Sequence, residues 1–171
     1  TGRFKDLYSK AKKSIQPGES MSHLACKKVF YISNSKNHSI EILNELSKSL
    51  EFKLYNLGKH YNQKLKVKQQ YCDVYNLTEL NNITLGAECL IFHPLYLNDD
   101  KYETILSNYD LILADNIIQT CKKNHVRRII WITTKYDQHE LQEHIDRIEC
   151  EYAKILKSSN VELIQLQLTT F

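Results

Sequence analysis

At 171 residues, 42% of them apolar, the chain is long enough to bury one sizeable core and too short for a second of comparable size. Its net charge of +3 is carried by residues 1–20, where Arg3, Lys5, Lys10, Lys12 and Lys13 are offset only by Asp6 and Glu19. The remainder is neutral, which argues against the broad basic footprint of a nucleic-acid binder, and no apolar run approaches the roughly 18 residues that span a bilayer.

Residues 1–26 read as a basic arm ahead of a domain covering 27–171. In the arm, Phe4, Leu7, Tyr8, Ala11 and Ile15 fall on one helical face before Pro17 and Gly18, with the lysines outside it. It lacks the apolar centre of a secretory signal, and a soluble protein is expected. Cys26, Cys72, Cys89, Cys121 and Cys150 are irregularly spaced, with no C-x-x-C pair and no Cys/His pairing at metal-ligand separation. Cys72, Cys89 and Cys121 sit inside apolar patterns and read as buried free thiols, consistent with a reducing compartment such as the cytoplasm; no metal is indicated.

From residue 27 onward, short β-branched and aromatic runs alternate with segments of helical period, the pattern of an α/β fold with a mainly parallel sheet. The first strand is predicted over 28–33, followed by a helix capped by Ser39, with Ile40, Leu43, Leu46, Ser47 and Leu50 inward. A second strand covers 52–57, a third 70–74, a short helix 77–83 and a fourth strand 87–92, opened by Gly86 and stopped by His93 and Pro94. A long helix is expected over about 101–124, then a fifth strand over 126–133. A helix over 138–158 turns Leu141, Ile145, Ile148, Tyr152, Ile155 and Leu156 inward, and a sixth strand over 161–168 completes an open sheet with helices on both faces.

Several phrases then carry a resemblance. The run Cys72-Asp73-Val74-Tyr75-Asn76-Leu77, followed by Leu85-Gly86-Ala87-Glu88-Cys89-Leu90-Ile91-Phe92, resembles the third-strand acidic motif, short helix and fourth strand of the atypical and extended short-chain dehydrogenase/reductase superfamily, especially its NmrA-like branch. Asn116 through Thr134 is similar to the helix and fifth strand ending in that superfamily's paired serines. The resemblance covers about residues 27–168 and implies a Rossmann-type fold binding NAD(P)(H). It implies that Asp73, with Val74 beside it, helps hold adenine and that Thr133 and Thr134 lie by the nicotinamide; Lys59 and His60 follow the second strand, where the family reads the adenosine ribose or its 2′-phosphate, and read otherwise as solvated turn residues.

The departures bear on function. The family's glycine loop falls on Ser33, Asn34, Ser35, Lys36, Asn37, His38 and Ser39, which hold no glycine, although serine and asparagine side chains and a helix N-terminus still attract phosphate. The family's catalytic tyrosine and lysine are matched by Glu143 and Arg147; arginine supplies charge, but a glutamate cannot replace a phenol donor at neutral pH without a large pKa shift. His93, at the carboxyl end of the fourth strand, is a further candidate as proton donor or ligand contact, with no partner identifiable in the sequence. The chain also stops at Phe171, before the region with which family members enclose substrate.

The expectation is therefore a degenerate short-chain-reductase-like domain acting as a non-catalytic binding or interaction module, with vestigial or regulatory dinucleotide binding and a protein partner or a second copy of itself. The alternative is a small NAD(P)H-dependent oxidoreductase with an atypical phosphate loop, working through Asp73, Thr133, Thr134 and Arg147. A third reading places nucleic-acid binding on residues 1–20.

Overall fold

The computed structural model describes residues 28–33, 40–48, 53–59, 61–94, 97–98, 101–104, 108–135 and 139–169. In chain order these form β1 (Lys28–Ser33), α1 (Ile40–Leu46), β2 (Lys53–Gly58), β3 (Lys68–Tyr71), α2 (Leu77–Ile83) and β4 (Ala87–His93). There follow β5 (Leu97–Asn98), β6 (Lys101–Thr104), α3 (Asn108–Asn124), β7 (Arg128–Lys135), α4 (His139–Leu156) and β8 (Glu162–Thr169). Six strands make one parallel sheet in the order β3-β2-β1-β4-β7-β8, and β5 pairs with β6 in a separate antiparallel ribbon. The chain builds outward from β1 through β2 to β3 and then crosses to β4 on the other side of β1. The boundary between β1 and β4 is thus the topological switch point, where open α/β sheets bind ligands beyond the strands' carboxyl ends.

The central strands are apolar on both faces because both are covered. Phe30, Ile32, Leu90, Phe92, Ile129 and Trp131 point to one side, against Leu80 of α2, Ile117 of α3 and Ile145 and Tyr152 of α4. Val29, Tyr31, Cys89, Ile91, Ile130 and Ile132 point to the other, in a second cluster with Leu43 of α1 and Val67. Continuous apolar runs such as Cys89-Leu90-Ile91-Phe92 are the sequence consequence of that double burial.

Polar side chains on the inner side of α3 hold it to the preceding unit. Asn116 Nδ2 donates to the Val74 carbonyl at 3.2 Å, Thr120 Oγ1 to Asn81 Oδ1 at 2.7 Å, and Asn124 Nδ2 to the Asn81 carbonyl at 2.9 Å. Each buried polar group meets a partner, so these residues interrupt the apolar stripe without the cost of an unsatisfied group. Helix α2 begins where Asn76 Oδ1 accepts the Glu79 N–H at 3.2 Å. Beyond it, Gly86 adopts φ +79, a left-handed conformation that glycine reaches without strain, and turns the chain into β4.

Two elements differ from the sequence expectation. The third strand ends at Tyr71 and not at residue 74, because Asp73 redirects the backbone: its carboxylate accepts the Tyr75 N–H at 3.1 Å and its carbonyl accepts the Asn76 N–H at 2.9 Å, closing a turn. The helix expected over 101–124 begins only at Asn108, since Lys101–Thr104, with β-favouring Tyr102 and Thr104, pairs with Leu97–Asn98. Smaller shifts affect the fifth strand, which runs two residues further to Lys135, and the sixth, which reaches Thr169. Among the described residues, no helix is long and apolar enough to cross a membrane.

Candidate functional site

The carboxyl ends of the parallel strands gather most of the residues singled out in the sequence. Register places Ser33 of β1 beside His93 of β4 at the switch point. Lys59 leaves β2, Asp73 and Val74 form the turn after β3, and Thr133 and Thr134 lie near the carboxyl end of β7, paired with Gln167 and Leu168 of β8. Asn34, Ser35, Asn37 and Ser39 lie outside the described residues, as does His60.

His93 belongs to the fourth strand itself, whose expected span ends one residue earlier. It is the last residue of β4, fully buried, and its Nδ1 shares a 2.5 Å hydrogen bond with the hydroxyl of Tyr31, itself fully buried in β1. The rings meet edge to face, 6.0 Å between centroids at 83°. Tyr31 is the site residue that sequence reasoning missed. Its only local signal is a hydroxyl-bearing ring in the middle of a strand whose neighbours Phe30 and Ile32 are wholly apolar. A buried tyrosine hydroxyl usually finds a partner, and this one finds it 62 residues away.

Asp73 is engaged within its own neighbourhood. One carboxylate oxygen accepts the Tyr75 N–H, and the other stands 3.4 Å from Lys59 Nζ. Both groups of this ion pair are partly exposed, so it contributes little to stability. Val74 is buried, with its carbonyl held by Asn116.

At the end of β7, Thr133 is fully buried and its Oγ1 has no hydrogen-bond partner among the described residues. Arg147 and Glu143 on α4 face outward; the Glu143 side chain is 62% exposed and stands 3.3 Å from His139 Nε2 in the same helix. The expected outward face of α4 is thus observed, but it directs Glu143 and Arg147 away from the core that Ile145, Ile148 and Tyr152 fill.

The thiols behave as structural groups. Cys72, Cys89 and Cys121 are buried and free, and Cys150 is exposed. Burial, reinforced by the carboxylates of Glu79 and Asp73, pushes the Cys72 thiol up to about 12, and burial alone does the same for Cys121. Burial also raises Cys89 strongly, against the opposing charge of Arg128. None of these three is a nucleophile near neutral pH.

A shallow cleft of about 160 Å³ lies at the outer end of the sheet, lined by Asn56, Gly58, Lys59, Tyr61, Gln70 and Tyr71 among others. It is too small for a dinucleotide. Asp73 is spent on its turn and on Lys59, the segment corresponding to the glycine loop has no glycine, and Glu143 and Arg147 face away from the core.

No protein-family model matches the chain, and no curated protein sequence matches it. Solved structures do. A nucleoside-diphosphate-sugar epimerase from Staphylococcus aureus superposes on 82% of this chain with a TM-score of 0.55 at 14% identity. The Bordetella bronchiseptica enzyme WbmH, solved in complex with NAD+, matches 84% with a TM-score of 0.58 at 14% identity. A short-chain dehydrogenase/reductase from Veillonella parvula matches 84% with a TM-score of 0.60 at 12% identity. The matches span 50%, 56% and 69% of those three chains, respectively. At these identities the likeness defines the fold: the chain is a Rossmann-type α/β domain of the architecture found in NAD(P)-binding epimerases and short-chain dehydrogenases.

Proposed function

We propose that this chain is a non-catalytic binding or interaction module on a Rossmann scaffold, in which any dinucleotide contact is vestigial or regulatory. The observation that carries this reading is the outward, exposed placement of Glu143 and Arg147, the residues matched to the family's proton-donating tyrosine and its lysine. Without a phenol or an equivalent acid, a carbonyl receiving hydride has no proton source on α4. The sheet edges at β3 and β8 are candidate contact surfaces for a protein partner or a second copy.

The oxidoreductase reading retains one specific point in its favour. The Tyr31–His93 pair brings an acid–base couple to the switch point, and Thr133 adds a hydroxyl at the end of β7. Such an enzyme must first hold its cofactor.

A melting scan with NAD+, NADH, NADP+ and NADPH separates the two readings at the binding step. A ligand at 100 times its Kd adds about 2.7 kcal/mol to a folded state that alone binds it. For a domain of this size that is a rise of roughly 5–10 °C. The module reading predicts no saturable shift of that size at millimolar ligand, whereas a shift with a micromolar midpoint favours the oxidoreductase.

A further inference from the structure

One face of the sheet is covered more completely than its described neighbours account for. Helices α2, α3 and α4 all pack on the side of Phe92 and Trp131, and the β5–β6 ribbon lies against α4. On the opposite side, Leu43 of α1 and Leu65 and Val67 of the β2–β3 connection join the apolar cluster. Asn44 of α1 accepts the Lys66 N–H at 2.9 Å and donates to the Lys64 carbonyl at 3.3 Å, which ties that helix to the same connection. All of this cover comes from the segments that join β1 to β2 and β2 to β3.

The other half of that face carries Cys89 and Ile91 of β4, Ile130 and Ile132 of β7, and Ile164 and Leu166 of β8. Ile91, Ile130 and Ile132 are wholly shut off from water, and Leu166 is only 7% exposed although β8 is an edge strand. A bare sheet face would leave such side chains in solvent, and their burial requires a second layer packed about 10 Å above the strands. Among the described residues no element supplies that layer over β7 and β8.

Outside the described residues, one stretch is long enough to do so. The internal stretches hold at most six residues, each tied at both ends to elements placed elsewhere, and two residues follow Thr169. Residues 1–27 run directly into β1, the strand beside β4. In helical register Phe4, Leu7, Tyr8, Ala11 and Ile15 share one side, and the lysines fall off it. A helix over residues 3–15 is about 20 Å long, enough to cross from β4 to β8, which lie two spacings of about 4.8 Å apart. The twelve residues 16–27 reach up to roughly 40 Å and return the chain to Lys28. The six side chains on the sheet carry no charge, so such a helix docks with its cations in water and buries none of them.

We propose that residues 3–15 form an amphipathic helix seated on the β4–β7–β8 face, with Leu7, Tyr8, Ala11 and Ile15 against Ile130, Ile132 and Leu166. The basic arm is then a structural layer of the domain, and its apolar side is occupied by its own sheet. This holds for a module and for an enzyme alike, so its failure and that of the proposed function are separate results.

The test is limited trypsin digestion of the full chain, following cleavage after Lys13 by mass spectrometry. A docked helix must open before it is cut, so the rate tracks the open fraction. Two variants place the same new charge on opposite sides of the arm. Leu7→Asp, on the apolar side, should speed cleavage after Lys13 at least tenfold, lower the melting temperature by roughly 5–10 °C and raise binding of the dye ANS. Ser9→Asp, on the lysine side, should leave all three unchanged. Ile164→Ala, at a half-buried position of β8, should also speed cleavage after Lys13 several-fold. Should Leu7→Asp not fold, Leu7→Ala is read in the same way, with a several-fold rise expected.

The proposal fails if the parent is cut after Lys13 as fast as the Leu7 variant, or if Leu7→Asp and Ser9→Asp behave alike. It fails also if Ile164→Ala leaves the arm as protected as in the parent, which would seat it elsewhere. Protection that disappears on dilution would place the arm on a second copy and overturn docking within one chain.

Discussion

Replacing Trp131 with alanine is expected to lower the unfolding free energy by about 3–5 kcal/mol. Trp131 is the only tryptophan of the chain, lies in β7 and is 2% exposed. Its ring meets Tyr152 of α4 edge to face at 6.5 Å, and Tyr152 in turn meets Phe92 of β4 at 5.5 Å. Truncation therefore opens a cavity at the junction of β4, β7 and α4, which their backbones cannot close without breaking the ladder between the strands. Against a usual domain stability of about 5–15 kcal/mol this is a large loss. Urea unfolding followed by circular dichroism should show a lower midpoint with an unchanged slope. Trp131→Phe should cost markedly less, because the indole N–H has no hydrogen-bond partner among the described residues and its removal leaves none unsatisfied. An unchanged midpoint in the alanine variant would contradict the packing described.

The buried thiols produce the second large effect, at alkaline pH. In the unfolded chain a thiol ionises near 9, while in the folded chain Cys72 and Cys121 keep their protons to about 12. Between these values the unfolded state binds fewer protons than the folded one, so stability falls as pH rises. The contribution is fully present below about pH 9 and is lost through about pH 12. Each such thiol approaches about 1.4 kcal/mol per pH unit, giving the pair a slope of roughly 2–3 kcal/mol per unit within that window. Cys89 is displaced in the same direction. Urea melts from pH 8 to pH 11 on the parent and on Cys72→Ala with Cys121→Ala isolate the thiols from other titrating groups. The double variant should show the shallower fall; parallel profiles would mean that these thiols are not protected by burial.

What could be read in the sequence follows the range of the forces involved. Helix α2 was legible over its full span, because Asn76 caps it and Gly86 ends the turn beyond it, all within a few residues. The doubly buried strands were legible from their unbroken apolar runs. The end of β3 was not, since Cys72-Asp73-Val74 has strand-like composition and only the Asp73 turn, with its contact to Lys59, takes it out of the sheet. The start of α3 was misplaced because Tyr102 and Thr104 suit a strand that forms only where Leu97–Asn98 is available to pair. At the candidate site, the strand-end placement of Ser33, His93 and Thr133 followed from strand periodicity. The Tyr31 partner of His93 did not, because two residues on strands that meet only in the folded sheet leave no common local pattern.

The proposal that this chain is a non-catalytic module is tested most directly by following NADPH and NADH oxidation by the purified chain with a panel of simple carbonyls and quinones. With Glu143 and Arg147 exposed on the outer side of α4, the predicted result is oxidation no faster than in the absence of protein. Sustained oxidation proportional to protein concentration, and reduced by His93→Ala or Thr133→Val in folded variants, would contradict the non-catalytic reading and establish an enzyme working from the switch point.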